Sequence, residues 1–100
     1  MKKIINGKKY DTDSAKLCMY RDDGQSAFTY TYEALYQKKT GEFFLYGYSG
    51  PMGKYAQYVD YSTTKGGSDI TPLTVEEAQR FVEKYGDVDD YERLFGEVEE

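Results

Sequence analysis

Apolar and polar side chains alternate most strictly between Phe28 and Tyr36, where Phe28, Tyr30, Tyr32, Ala34 and Tyr36 share one parity and Thr29, Thr31, Glu33 and Leu35 the other. A period of two is the mark of a strand with two unlike faces. Lys38-Lys39-Thr40-Gly41 reads as a turn, and the following Glu42-Phe43-Phe44-Leu45-Tyr46-Gly47-Tyr48 is apolar at both parities. That predicts a central strand, covered by a helix on one side and by loops on the other. Upstream, Asn6-Gly7 between Lys3-Ile4-Ile5 and Lys8-Lys9-Tyr10 predicts a hairpin closed by a type I′ turn, with lysines suited to an exposed edge. Asp11, Thr12, Asp13 and Ser14 offer N-caps for a short helix over residues 15–20, which Asp22-Asp23-Gly24 would end.

Toward the C-terminus the period lengthens to that of a helix. Thr74-Val75-Glu76-Glu77 has the form of a capping box, and Ala78, Phe81, Val82 and Tyr85 recur at helical spacing before Gly86. Asp87 can cap a second, shorter helix, on which Val88, Tyr91, Leu94 and Phe95 share a face before Gly96. A short strand over residues 70–73 precedes them, confined to an edge by Pro72, while residues 49–69 carry no firm period. This order predicts one α+β domain spanning residues 1–100. A small antiparallel sheet with an N-terminal hairpin and short helix is packed by two C-terminal helices.

Composition narrows the chemistry. The 100 residues include no histidine, which removes histidine-based triads, the commonest general base and the commonest metal ligand. The single thiol, Cys18, can form neither an internal disulfide nor a multi-cysteine zinc site. It reads as a small buried apolar residue, with a crosslinked dimer as the alternative. The N-terminal segment turns polar after Ile4-Ile5, and no apolar run approaches a membrane span, so a soluble cytoplasmic protein is expected. Asp11 with Asp13 and Asp22 with Asp23 suit turns and caps better than a cation site. Gly47-Tyr48-Ser49-Gly50-Pro51-Met52-Gly53 lacks the Gly-Lys-Ser/Thr ending of a phosphate loop. No catalytic residue, cofactor or metal site emerges.

Charge changes the picture more. Net charge is −5, yet the segment from Val75 to Glu100 holds ten carboxylates against three cations, a net −7, and the first 74 residues carry +2. Such a segment attracts cationic surfaces and repels nucleic acid and anionic membrane. The candidate partner-binding residues are Glu76, Glu83, Asp87, Asp89, Asp90, Glu92, Glu97, Glu99 and Glu100, placed to enter a basic site as phosphates would. A solvated, dipole-complementing helix face is the plainer reading of the same charges and stays open. Phe28, Tyr30, Tyr32 and Tyr36 exceed what a core of this size needs, so Tyr30, Tyr32 and Tyr36 are candidates for a secondary contact. A homodimer through that face is the related alternative.

The run Thr40-Gly41-Glu42-Phe43-Phe44-Leu45-Tyr46-Gly47, continued by Gly50-Pro51-Met52-Gly53-Lys54-Tyr55-Ala56, resembles a group of short acidic proteins encoded on phages and mobile elements of Firmicutes. The resemblance extends to residues 2–15, 70–83 and 89–100. It implies an anti-CRISPR role: a non-enzymatic inhibitor in the cytoplasm of a bacterial host. Its implied partner is the basic surface of a CRISPR-Cas effector subunit, with no direct contact to nucleic acid or membrane. An accessory regulator of the mobile element, or an enzyme working without histidine, are the competing expectations.

Overall fold

In the computed structural model, which describes residues 1–24 and 26–99, Asn6 (φ 52°) and Gly7 (φ 76°) turn the chain between β1 (Lys2–Ile5) and β2 (Lys8–Asp11). Both central residues of a type I′ turn need positive φ, so the Asn-Gly pair sets this hairpin's register. The main sheet is antiparallel in the order β3 (Lys16–Asp22), β4 (Thr31–Gln37), β5 (Phe43–Ser49) and β8 (Gly67–Leu73). Pro72 sits on β8, at the edge of the sheet, where its missing N–H costs no ladder bond. Helices α1 (Val75–Tyr85) and α2 (Val88–Phe95) follow, and the α+β class is as the sequence predicts. No helix of the described residues is long and apolar enough to cross a membrane.

Three local expectations are corrected. The predicted short helix over residues 15–20 lies in strand β3 and the turn before it. Asp11 caps a turn, not a helix, for its Oδ1 accepts from the Asp13 amide (2.9 Å) and its carbonyl from the Ala15 amide (3.1 Å). Six residues are too few to hold a helix without strong packing, whereas the free edge of β4 offers a backbone ladder. A bulge between Leu17 and Met19 places Cys18 and Met19 in the core consecutively. Secondly, the alternating strand starts at Thr31 and not at Phe28. Ser26 Oγ accepts from the Phe28 and Thr29 amides and its carbonyl from the Tyr30 amide, which closes a turn and leaves Phe28 exposed. Thirdly, the second face of β5 is covered at Phe44 and Tyr46 by the β1–β2 hairpin, not by loops, and is left open at Tyr48.

That arrangement divides the core by strand parity. On one face Met19, Leu35 and Phe43 meet Ala78 and Val82 of α1, with Tyr91, Leu94 and Phe95 of α2 packed behind them. On the other, the fully buried Phe44 lies against Tyr10 of the hairpin, edge to face at 5.5 Å, and Tyr36, stacked at 5.4 Å. Apart from both stands a small arm, β6 (Gln57–Asp60) paired with β7 (Thr63–Lys65), every residue of which is exposed.

Candidate functional site

The acidic segment folds as two capped helices. Thr74 Oγ1 accepts from the Glu77 amide (3.1 Å) while the Glu77 carboxylate accepts from the Thr74 amide (2.9 Å). Asp87 and Asp90 repeat the exchange at the start of α2, at 2.8 and 3.1 Å, and Arg93 Nη2 donates to Asp90 Oδ1 at 3.1 Å. The Asp87 amide and Arg93 together hold the Asp90 carboxyl below its ordinary pKa. Two of the nine candidate binding residues therefore fasten α2. Glu76, Glu83, Asp89, Glu97 and Glu99 are exposed and, among the described residues, take part in no ion pair within the chain. Glu92 is half-buried, and Glu100 lies outside the described residues.

Helix α1 carries both signs of charge. Arg80 and Lys84 line a cleft on the sheet side together with Glu77 of the same helix and with Glu33, Lys54, Leu45 and Tyr85. Glu83 lines a different cleft, where the end of α1, the turn into α2 and the C-terminal tail meet.

The tyrosines of the sheet fall into two groups. Tyr20, Tyr32 and Tyr48 form a ladder across β3, β4 and β5, with ring centres 5.6 and 4.8 Å apart, and Tyr30 meets Tyr48 edge-on at 6.1 Å. Tyr20 is 60% exposed, so this end of the sheet stays open beyond the hairpin. Burial, then the neighbouring phenols, raise the Tyr32 pKa. Of the three predicted contact residues, Tyr30 and Tyr32 belong to the ladder. Tyr36 does not, since it stacks on Phe44 beside the hairpin. Tyr48 was findable from sequence: a turn centred on Thr40 pairs positions symmetrical about it, and Tyr32 falls opposite Tyr48.

A buried ionic cluster joins β3, β4 and the glycine-rich loop. Glu33 is 1% exposed; its Oε1 accepts from Arg21 Nε (2.9 Å) and Nη2 (2.7 Å), and its Oε2 from Lys54 Nζ (2.8 Å) and Tyr55 Oη (2.6 Å). Burial alone would raise the Glu33 pKa, but the hydrogen bonds from Lys54, Tyr55 and Arg21 outweigh it and the carboxyl is held below its ordinary value. Burial and the bond to Glu33 push the Tyr55 phenol upward. Arg21 also lies over the Tyr85 ring, 4.3 Å from its centre. The cluster clasps the glycine-rich loop: Ser49 Oγ accepts from the Tyr55 amide (2.8 Å), while the Gly50 and Met52 amides donate to the Tyr30 and Phe28 carbonyls. Amides so engaged do not cradle a phosphate. The one sequence signal was Glu33 sharing parity with the buried Leu35.

Gly47 makes room for this clasp, because a Cβ there would collide with Cζ and Oη of Tyr55. Gly47→Ala should displace Tyr55 and cost about 1–3 kcal/mol in a denaturant melt. A variant as stable as the parent would show that the ring does not rest on Gly47.

Cys18 is buried on β3, and burial raises its thiol pKa against the lowering effect of Arg93 and Lys16. A shielded, protonated thiol is a poor nucleophile and a poor crosslinking site. Among the described residues no group of three or more His, Cys, Asp or Glu side chains is placed to hold a metal ion. No family model, curated protein or solved structure matches the chain.

Proposed function

We propose that this chain is a non-enzymatic inhibitor that occupies a basic nucleic-acid-binding surface of a host defence complex, of the anti-CRISPR type, through the carboxylates of α1, α2 and the tail. The observation that carries the reading is the set of exposed carboxylates, Glu76, Glu83, Asp89, Glu97 and Glu99, which no cation among the described residues neutralises. The capped helix pair holds Glu76, Glu83 and Asp89 on a folded support, so pairing of these three with a partner's arginines requires little ordering of the backbone, and Glu97 and Glu99 follow on the tail. The tyrosine ladder supplies a secondary contact of the amphipathic kind that interfaces favour.

The test must leave the Asp87–Asp90 box intact, since its loss would disturb α2 itself. Glu76→Gln, Asp89→Asn, Glu97→Gln and Glu99→Gln in one variant should weaken partner capture from the native host by about tenfold or more. Parent binding should weaken as salt rises and act stoichiometrically. Undiminished capture by the four-site variant, or insensitivity to salt, would sink the proposal. Substoichiometric action that leaves a mass change on the target would identify a modifying enzyme instead.

A further inference from the structure

We infer that the cleft between the end of α1, the turn into α2 and the C-terminal tail seats an apolar side chain of a basic partner segment, so that recognition there is hydrophobic as well as ionic. This rests on the reading of the acidic helices as a binding surface, and adds what the partner must carry. The cleft is an open hollow of about 470 Å³ whose apolar lining includes Val82, Val88, Tyr91 and Val98. Val88 is 69% and Val98 56% exposed, although both border the same hollow. Volumes of this order accept bulky apolar groups.

Charge decides the occupant. Among the described residues, the titratable side chains lining the cleft are Glu83, Asp87 and the Tyr91 phenol, and no lysine or arginine lines it. Arg80 and Lys84 border the other cleft, while Arg93 is turned to Asp90 and the Cys18 carbonyl. An acidic occupant would meet like charge at the rim, and a purely polar one would leave the valines uncovered. A leucine-like side chain flanked by arginine or lysine satisfies floor and rim together, as in helix-in-groove recognition.

The experiment uses the full chain with labelled valine methyls and two synthetic helical peptides of equal positive charge. One carries leucine anchors between arginines, and the other has serine in their place. The leucine peptide should shift the Val82, Val88 and Val98 signals and bind about tenfold or more tightly than the serine peptide. In the double variant Val88→Ser, Val98→Ser, both exposed positions, that preference should vanish while charge-driven binding remains. Equal binding of the two peptides without valine shifts overturns the inference and leaves the acidic-surface reading standing. Failure of both peptides to bind overturns both. Valine shifts that appear on concentrating the chain alone would put a second copy in the cleft, which also overturns the inference.

Discussion

Glu33→Ala should cost about 3–5 kcal/mol of folding stability and lower the melting temperature by at least about 12 °C. The cost exceeds that of an ordinary surface ion pair because Glu33 is buried while the groups it serves stay behind. Arg21, itself only one-fifth exposed, would lose its fork, and Lys54 and Tyr55 would lose their acceptor. Glu33→Gln keeps an acceptor and removes the charge, so its loss should be smaller. The pH dependence separates these effects. The folded pKa of Glu33 lies below the unfolded value of about 4.3. Its contribution is therefore complete above that unfolded value and is lost as pH falls through the folded one. Stability against pH should fall less steeply in acid for Glu33→Gln than for the parent. A cost for Glu33→Ala under about 1 kcal/mol, or equal acid slopes, would show that the cluster stabilises little.

Phe44→Ala should be comparably severe, at about 3–5 kcal/mol, because it empties a site closed on both sides by rings. Phe44 joins the β1–β2 hairpin to the sheet through Tyr10 and stacks on Tyr36, so its removal loosens one face of the molecule more than the other. Hydrogen exchange should quicken in β1 and β2 well before it quickens in α1, which packs on the opposite face. Phe44→Leu fills most of the volume and should recover over half of the loss. Uniform acceleration across hairpin and helix would mean that the hairpin is not held independently through this residue.

What could be read in advance follows from how local the cause is. Asn6-Gly7, the capping box of α1 and the Asp87 cap of α2 each carry their signal within a few positions and each formed where the sequence places it, while the two-residue period of β4 holds only from Thr31 onward. Strand β3 was hidden because its bulge puts Cys18 and Met19 inward in succession and spoils the alternation. The start of β8 was hidden for another reason: Gly67, Ser68 and Asp69 are held by their backbone pairing with Ser49, Tyr48 and Gly47, which composition does not record. The arm β6–β7 buries nothing, so no burial pattern marks it. In the candidate site, the charge imbalance is a property of composition and was plain. The commitment of Asp90 to a cap depends on a three-residue spacing, whereas the Glu33 cluster gathers positions 21, 33, 54 and 55 from separate elements and needs the folded sheet.

The gathering of a net −7 on residues 75–100 against +2 on the first 74 has a kinetic consequence. Beyond its net charge, the molecule carries an electric moment between the body of the sheet and its C-terminal segment, so a cationic surface would exert a torque on it as well as a pull. The chain would turn while still approaching, with its C-terminal segment foremost before any side chain touches. Salt would then slow association both by weakening attraction and by making more of the collisions misoriented.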